Sequence, residues 1–409
     1  MAKEKFVTGI DIGASKICCL VGARKPPGIF NVLGCGVVHH NCIRKGVVVN
    51  LKGLSDAISK AVYKAEQESD KKAHSVYINI SGPHIEGLLS HGEMIISDRD
   101  SEITRYDAEK VTDNAKSINI PYEREIFYTV HYGYTVDGEK GIIDPQGMFG
   151  LKLTADLYLI TVKAAFIENL KKAVRGASVG VAGVVISTIP TSLALLSEHE
   201  KQIGTTLIDI GKDLAEISIY SEGLLRYIKV IPIGGEYVTT QISHKLRIPF
   251  DTAEKLKIEN ATLDGRFSKG DKLILKVDSH KRVIYKKDLQ DILKDAYKKI
   301  FIDLKEEIHK GKIFRDAANG VVLTGAPSYM EGAAEKAEIE FGCPVKVGHV
   351  KELGHCPKPL PSHIFATAVG LIKYGFKDIE RKRGFLDRGA KNIFSSLLSY
   401  TRSLYREYF

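Results

Sequence analysis

The sequence lacks the features that would place the chain across a membrane or outside the cell. No stretch approaches the roughly 18 consecutive apolar residues that a membrane-spanning helix needs. The first residues run straight into a β-branched segment and lack the apolar core of a secretory signal. The six cysteines form no C-x-x-C pair, which indicates neither a zinc site nor a disulfide framework. We therefore expect a cytoplasmic protein with buried, reduced thiols.

Nucleic-acid binding also lacks support, although the chain is basic. The formal net charge is +9, and residues 381–409 hold seven basic side chains against two acidic ones, more than half of the excess. Basic residues interleaved with aromatic ones, the usual pattern of a nucleic-acid surface, are missing elsewhere. At 409 residues the chain is too long for one compact core, so we expect two domains or a pair of large lobes.

One short segment, residues 7–17, carries the first sign of chemistry. It reads Val-Thr-Gly-Ile-Asp-Ile-Gly-Ala-Ser-Lys-Ile, which predicts a strand, a tight turn and a returning strand. We expect Gly13 to adopt backbone geometry closed to other residues, so that successive N–H groups converge on an anion. Asp11 would hold a hydrated Mg²⁺, and Ser15 and Lys16 would offer a hydroxyl and an ammonium group to a phosphate. Taken alone, the segment fits an ordinary β-hairpin better.

The same pattern returns in the second half of the chain. Residues 205–217 line up with residues 7–19 at an offset of 198, and both copies read apolar strand, Asp-Ile-Gly, turn and returning strand. The repeat indicates a duplication into two like-folded lobes. Two such turns that face each other can hold one polyphosphate from both sides, with Asp209 in the place that Asp11 takes in the first copy.

The remaining patterns divide the chain into segments. The region after the first lobe's opening strands is richer in charge, and it contains a predicted capping box at Thr104 and Asp107 and a predicted Asp137–Gly138 turn. These features are typical of an inserted α+β subdomain. The predicted boundaries are 1–82 and 162–203 for the first-lobe core, 83–161 for the insertion, 204–235 and 316–375 for the second-lobe core, and 236–315 for an outer second-lobe subdomain.

The end of the chain changes character twice. Residues 376–389 are charged and lack an apolar period, which predicts a flexible linker. Residues 390–409 predict a short amphipathic helix of the kind that lies in the headgroup region of an anionic bilayer. The alternative is a C-terminal helix docked on the protein's own core. The side chains predicted to contact the membrane are Phe394, Leu397, Leu398, Arg402, Leu404, Tyr405, Arg406 and Phe409.

Together these motifs resemble the actin superfamily and, within it, the FtsA family of bacterial cell-division proteins. The resemblance covers nearly the whole chain, and the segments that carry it are 7–13, 207–211, 230–239, 253–257 and 322–326, with the insertion and the basic tail. The implied fold is α/β: a duplicated actin-like (ribonuclease-H-like) two-lobe fold with an inserted α+β subdomain and a C-terminal amphipathic helix.

The resemblance also implies a function. ATP and Mg²⁺ would bind between the lobes, and the nucleotide would switch the assembly of filaments. The tail would attach the protein to the cytoplasmic face of the cell membrane at the division site. The outer subdomain would bind the C-terminal peptide of the tubulin-like protein FtsZ and so tether the FtsZ ring, with other division proteins as further partners. The implied nucleotide-binding residues are Asp11, Gly13, Ala14, Ser15, Lys16, Asp209, Gly211, Lys212, Gly234, Gly235, Glu254, Lys257, Gly325 and Ala326, with Asp11 and Asp209 at the metal.

The second turn departs from the family pattern. The family usually continues Gly-Gly-Thr-Thr-Asp after this turn's first glycine, whereas residues 212–216 read Lys-Asp-Leu-Ala-Glu and lack both the flexible glycines and the hydroxyls. We expect Asp213 to oppose the charge of Lys212. Pro327, which follows Ala326, offers no N–H group. The sequence therefore predicts nucleotide binding with weak or absent hydrolysis, at most a slow ATPase, and no assigned catalytic residue.

Two other classes of protein share part of this pattern. A small-molecule kinase of the sugar-kinase type has the same paired hairpins, but it needs a positioned carboxylate base, and no carboxylate in the sequence stands out for that role. A chaperone of the Hsp70 kind needs a substrate-binding domain after the ATPase, and only 34 residues follow Gly375. The kinase is the alternative prediction.

Overall fold

The structure is a computed structural model that describes residues 5–25, 28–96, 102–268, 270–277, 280–310, 320–356 and 365–389. The segment predicted to contact lipid, 390–409, lies outside these residues. Within the described ranges, no helix combines the length and the apolar character that crossing a lipid bilayer requires.

The first lobe opens with three antiparallel strands joined by tight turns. These are β1 (Phe6–Ile12), β2 (Lys16–Lys25) and β3 (Ile29–His39), followed by a small hairpin of β4 (Ile43–Arg44) and β5 (Val47–Val48). Helix α1 (Leu51–Ser69) packs on β3 and leads to β6 (Ser75–Ile80), which pairs in parallel with β1. The packing needs a glycine, because a Cβ on Gly36 would lie 1.8 Å from the carbonyl oxygen of Ala61.

A separate four-stranded sheet is inserted after β6. Its elements are β7 (Glu86–Ile95), α2 (Arg105–Lys116), β8 (Arg124–Val136), β9 (Glu139–Ile142) and β10 (Lys152–Lys163), and its strand order is β7-β10-β8-β9. The predicted capping box is confirmed: Asp107 N donates to Thr104 Oγ1 at 3.3 Å, and Thr104 N donates to Asp107 Oδ2 at 2.9 Å. The predicted turn is confirmed as well, because Asp137 and Gly138 both have positive φ angles, 48° and 94°.

The chain then returns to the first lobe. Its elements there are α3 (Ala164–Gly176), β11 (Gly180–Ile186), α4 (Thr188–Leu195) and α5 (Glu198–Ile203). Strand β11 pairs in parallel with β6 and completes a five-stranded sheet of order β11-β6-β1-β2-β3. The carboxyl ends of the three parallel strands β1, β6 and β11 therefore meet at one end of this sheet.

The second lobe repeats the first. Its elements are β12 (Thr205–Ile210), β13 (Ala215–Ser221), β14 (Leu224–Ile231), α6 (Gly235–Leu246), α7 (Phe250–Asn260), β15 (Lys272–Val277), β16 (His280–Tyr285), α8 (Lys286–Lys310), β17 (Val321–Thr324), α9 (Ala333–Phe341) and β18 (Val345–Val347). The sheet order β14-β13-β12-β17-β18 matches β3-β2-β1-β6-β11 strand for strand. The predicted duplication is thereby confirmed. The apolar stripe of α8 forms the second lobe's main core together with α6, α9 and the sheet.

The last helix corrects one prediction. Helix α10 (Ala366–Gly389) continues through residues 376–389, where the sequence predicted a flexible linker. The Tyr77 hydroxyl donates to the buried carboxylate of Asp378 at 2.8 Å, which fixes this part of α10 to the first lobe. Asp378 also pairs with Arg381 at 2.6 Å and with Lys382 at 2.7 Å. Three of the charges that suggested a solvated linker, those of Asp378, Arg381 and Lys382, are thus paired within the helix, and a fourth, Glu380, pairs with Arg24 of β2.

Candidate functional site

The two Asp-Ile-Gly turns have the same backbone closure. Gly13 N donates to the carbonyl oxygen of Lys16 at 3.1 Å, and Gly211 N donates to that of Leu214 at 2.8 Å. These residues are equivalent at the offset of 198. Each turn follows the first strand of its own sheet, so the duplication places two like turns at the junction of the lobes.

The backbone geometry predicted for Gly13 was wrong, and Gly211 lacks it as well. Neither Gly13 nor Gly211 is among the residues with a positive φ angle, so their backbone geometry is open to other residues. What they provide is space: a Cβ would lie 3.3 Å from Lys16 O in the first turn and 3.2 Å from Leu214 O in the second. The glycines therefore allow the turns to close tightly.

Three carboxyl groups face one another at this junction. Asp11 and Asp209 are the next-to-last residues of β1 and β12, and Glu216 lies opposite Asp209 in the β12–β13 ladder. Burial raises the pKa of Asp11 to about 6, against the lowering effects of the Lys16 ammonium and a hydrogen bond from Asn79. Burial and then the Asp11 charge raise the pKa of Asp209 to about 7. All three carboxyls therefore lie where a cation is favoured.

Glu216 was not among the predicted site residues. Burial, followed by the charge of Asp209, raises its pKa to about 8, with a smaller opposing effect of Ser81. Its Oε2 is buried, and no hydrogen-bond partner for it exists within the described part of the chain. A signal was present in the sequence, because Glu216 lies opposite Asp209 in the predicted second hairpin. In the sequence, however, Glu216 stood out only as part of the departure from the family pattern at 212–216.

Asn79, at the end of β6, orients Asp11 and was also missed. Its Nδ2 donates to Asp11 Oδ1 at 2.8 Å and to Ser187 Oγ at 3.0 Å, while its Oδ1 accepts from Ile12 N at 2.7 Å. A buried amide that ends a strand of apolar residues was the available signal. Because β6 lies beside β1 only in the folded sheet, the pairing could not be located from sequence spacing.

Lys16 is the cation nearest to these carboxyls. Burial lowers its pKa, while the charges of Asp11 and Asp209 raise it. Its Nζ lies 5.1 Å from the ring centroid of Phe365, just before α10 begins. One ammonium group thus acts on two of the three carboxyls, Asp11 and Asp209, and this imbalance fits a further bound cation.

His40 holds the first turn in place through a hydrogen bond to its backbone. Its Nε2 lies 2.9 Å from Gly13 O, and its Nδ1 accepts a hydrogen bond from Cys42 N at 3.1 Å. This pair of bonds requires a neutral imidazole with its proton on Nε2. Burial lowers the pKa of His40, and Lys212 lowers it further, which keeps the ring neutral. No periodicity or spacing in the sequence pointed to this residue.

The predicted glycines 234 and 235 join helix α6 to the second turn. Gly235 N donates to Gly211 O at 3.0 Å, and Glu236 N donates to Lys212 O at 2.6 Å. A Cβ on Gly234 would lie 2.6 Å from Gly211 O, so only glycine permits this approach. Both predicted glycines therefore lie beside the predicted Gly211 and Lys212, as neighbours in space.

The predicted pair Glu254 and Lys257 lies beside Gly235, which contacts the second turn. Lys257 Nζ donates to Gly235 O at 3.0 Å, to Thr239 Oγ1 at 2.8 Å and to Glu254 Oε2 at 2.7 Å. Thr239 Oγ1 also donates to Glu254 Oε2. These contacts join α6 to α7 and place one carboxylate and one ammonium group next to the glycine turn.

Gly325 and Ala326 complete this side of the site. Gly325 has a φ of 86°, and a Cβ there would lie 2.1 Å from Ile210 O and 2.5 Å from Asp209 Oδ1. A short 3-10 turn starts at Ala326, and its Pro327 ring would lie 3.0 Å from a Cβ on Gly235. The structure thus assembles the predicted second-lobe residues around Asp209.

Asp213 makes a contact that the sequence did not predict. Its buried carboxylate accepts a hydrogen bond from Lys45 N at 2.6 Å. Lys45 lies in the turn between β4 and β5 of the first lobe. The second turn therefore contacts the opposite lobe directly through this side chain.

The duplicated sheets with paired turns at their junction define the class: this is an actin-like two-lobe protein. Solved structures agree on the fold. The chain resembles a component of the PilM–PilN type IV pilus biogenesis complex (TM-score 0.65, 14% identity, 91% of this chain and 99% of that one). It also resembles MreB5 of Spiroplasma citri bound to AMPPNP (TM-score 0.53, 13% identity, 93% and 99%) and the MamK double helical filament (TM-score 0.51, 12% identity, 91% and 98%).

Sequence comparisons identify the family. A family model for the SHS2 domain inserted in FtsA matches residues 82–161, and one for cell division protein FtsA matches residues 206–370. The chain is 33% identical to cell division protein FtsA of Pseudomonas aeruginosa, over 91% of this chain and 90% of that protein. It is 32% identical to FtsA of Neisseria meningitidis, over 90% of each. The chain belongs to the FtsA family of cell-division proteins, and these matches do not favour the kinase alternative.

Proposed function

We propose that this protein is a nucleotide-dependent scaffold of cell division that binds ATP and Mg²⁺ between its lobes and uses the nucleotide as a switch for self-assembly. The observation that carries the proposal is the meeting of Asp11, Asp209 and Glu216 with Lys16 between two like turns, one from each lobe. The MreB5 neighbour bound to AMPPNP and the MamK filament, which share the fold, support a nucleotide and a polymer.

Asp11 and Asp209 would hold the metal, one from each lobe. Mg²⁺ keeps several waters and usually takes one or two carboxylates together with phosphate oxygens. The described residues contain no group of three or more His, Cys, Asp or Glu side chains that could hold a metal ion alone. This arrangement fits a hydrated ion that also needs the nucleotide's phosphates, and such an ion would neutralise the charge of the three carboxyls.

The remaining residues would position the nucleotide. Backbone N–H groups of Ala14 and Ser15, with the Lys16 ammonium, would face the phosphates from the first lobe. Glu254 and Lys257 would lie near the ribose and base. The second turn lacks hydroxyl groups at 212–216, so we propose that hydrolysis is weak or absent and that nucleotide binding, more than turnover, controls assembly.

Titration calorimetry with ATP tests this site. We expect Asp11→Asn combined with Asp209→Asn to lower the Mg²⁺-dependent affinity about tenfold or more, because two carboxylate ligands are lost. Asp56→Asn, an exposed acid on α1, is the matched control and should bind as the parent does. Equal affinity of all three proteins would contradict the site. Turnover at about 1 s⁻¹ or faster would contradict the proposed weak hydrolysis.

The same proposal includes attachment to the cytoplasmic face of the membrane through residues 390–409. Cosedimentation with anionic vesicles should compare the full chain with a chain that ends at Gly389 and with Leu397→Glu or Phe394→Glu. We expect each change to release the protein, because a charge in the apolar face opposes insertion. If all these proteins pellet equally, the tail is not the anchor.

The proposal further assigns the FtsZ C-terminal peptide to the outer second-lobe subdomain, predicted at 236–315. Fluorescence anisotropy of the labelled peptide against the full chain measures this directly. We expect saturable binding that Ile274→Glu weakens, since Ile274 is exposed on the β15–β16 hairpin. Lys60→Glu, an exposed change on α1, serves as the control. Absence of saturable binding would remove FtsZ from the proposal.

A further inference from the structure

The first lobe has an end that is remote from the candidate site, and we call it the basal end. It is defined by the starts of β1, β6 and β11, the end of β2 and the start of β3. Helix α10 runs from the site to this end: Phe365 lies over Lys16, whereas Glu380 pairs with Arg24 at 2.6 Å. The second half of α10 therefore lies at the basal end.

Exposed cations outnumber exposed anions at the basal end. The exposed basic side chains there are Lys5, Arg24, Lys25, Lys72 and Lys382, and the exposed acidic ones are Asp70, Glu352 and Glu380, of which Glu352 pairs with the enclosed ammonium group of Lys373. Glu66, which pairs with Lys72, has an 11% exposed side chain, so its charge is largely enclosed while the ammonium group faces solvent. Ile29, the first residue of β3, is 43% exposed among these cations.

We propose that the basal end is a second lipid-contacting surface, which lies against an anionic bilayer when the tail inserts. The inference rests on the proposed membrane attachment of residues 390–409. The occupant is argued from the direction of α10, because this helix passes Arg24 at the basal end and then continues toward the predicted amphipathic segment. A basic surface with one exposed aliphatic side chain complements anionic headgroups.

The continuity of α10 limits the distance between the first lobe and the bilayer. A flexible linker at 376–389 would have let the body diffuse away from the bilayer, but these residues are helical. Beyond Lys382, the last residue with a described ion pair, seven residues remain to Gly389. At a rise of 1.5 Å per residue they span roughly 10 Å. This is close to the screening length of about 8 Å at physiological ionic strength, so the cations of the basal end are within reach of the surface charge.

Cosedimentation of charge-reversal variants tests the surface. Near an anionic bilayer each Lys or Arg contributes about a fivefold factor in partitioning. Lys25→Glu with Lys72→Glu should therefore bind phosphatidylglycerol-containing vesicles about tenfold or more weakly than the parent, with a smaller difference at high salt. Lys255→Glu with Lys294→Glu reverses two exposed lysines of the second lobe and should bind as the parent does. Equal binding of the basal and control variants would overturn the proposal.

The same assay distinguishes failure of the proposed tail anchor from failure of the proposed basal surface. If Leu397→Glu pellets as the parent does, the proposed tail anchor fails. If Leu397→Glu is released but the basal variant binds unchanged, the anchor stands and the second surface fails. If the parent binds no anionic vesicle, both fail.

A fluorescence measurement checks the orientation even where a charge-reversal variant folds poorly. The chain contains no tryptophan, so one introduced tryptophan is a unique probe. Ile29→Trp places it at the basal end, and Tyr122→Trp places it at a fully exposed position of the inserted subdomain. With vesicles that carry a headgroup quencher, we expect strong quenching for Ile29→Trp and little for Tyr122→Trp. Equal quenching of the two would overturn the proposal.

Discussion

At the scale of single residues, Asn79 is the side chain on which Asp11 most depends. It donates to Asp11 and Ser187 and accepts from Ile12 N, all at 2.7–3.0 Å in a buried position. Asn79→Ala should lower the free energy of unfolding by about 2 kcal/mol or more, since several buried groups lose their partner. Urea unfolding measures this. Asn114→Ala, at an exposed residue with one 3.4 Å contact, should change it by less than about 0.5 kcal/mol. Equal effects would contradict the assigned role.

The pKa of Glu216 leads to a second residue-scale prediction. In the folded protein its pKa is raised to about 8 from an ordinary value of 4.5. Between these values the folded state binds more protons than the unfolded state, so this group's contribution to stability falls as pH rises. His40, His84 and His131 have lowered pKa values and oppose this trend only at more acid pH, near and below the ordinary histidine value of 6.5.

The comparison of the parent with Glu216→Gln isolates this group. Without nucleotide or Mg²⁺, the variant should be more stable than the parent at pH 8.5, by on the order of 1 kcal/mol or more, and the advantage should shrink toward pH 6.5. Thermal unfolding across this pH range provides the measurement. A difference that stays constant with pH would show that Glu216 does not titrate as proposed.

At the scale of elements, the turn after β17 depends on Gly325 for two separate reasons. Its φ is 86°, and a Cβ would also lie 2.1 Å from Ile210 O. Gly342, which ends α9, has a φ of 72° but nothing within 4 Å of a Cβ. Gly325→Ala should therefore destabilise by about 3 kcal/mol or more, whereas Gly342→Ala should cost about 1 kcal/mol. Similar losses in urea unfolding would mean that the clash is relieved by a local shift.

The elements also show which parts could be predicted from sequence. The paired hairpins, the capping box at Thr104 and the Asp137–Gly138 turn are local patterns, so residue type and spacing were sufficient to predict them. The extent of α10 was not local, because its charged second half is held by Tyr77 of β6. Asn79 was missed at the site because β6 and β1 become neighbours only in the folded sheet, whereas Glu216 lies opposite Asp209 in a predicted hairpin and was missed although that pairing is local.

At the scale of the whole molecule, Asp213 couples the second turn to the opposite lobe. Its partner, Lys45 N, lies in a turn that is itself fixed, because Lys45 and Gly46 have φ angles of 47° and 77° and a Cβ on Gly46 would lie 2.6 Å from Ser81 O. Any ligand that moves the second turn therefore acts on the first lobe through this bond. The bond gives the proposed switch a physical link between the lobes.

Asp213→Ala removes that link and leaves a backbone N–H without its partner, a loss of about 1–3 kcal/mol. Amide hydrogen exchange in residues 43–48 should become faster, while exchange in β15, which belongs to the outer subdomain, should stay as in the parent. ATP with Mg²⁺ should restore part of the protection, because a ligand held by Asp11 and Asp209 joins the lobes independently. Asp56→Ala, at an exposed acid on α1 of the first lobe, is the control and should leave exchange in 43–48 unchanged. If exchange in 43–48 does not respond to Asp213→Ala, the second turn moves independently of the first lobe, and the nucleotide must couple the lobes without it.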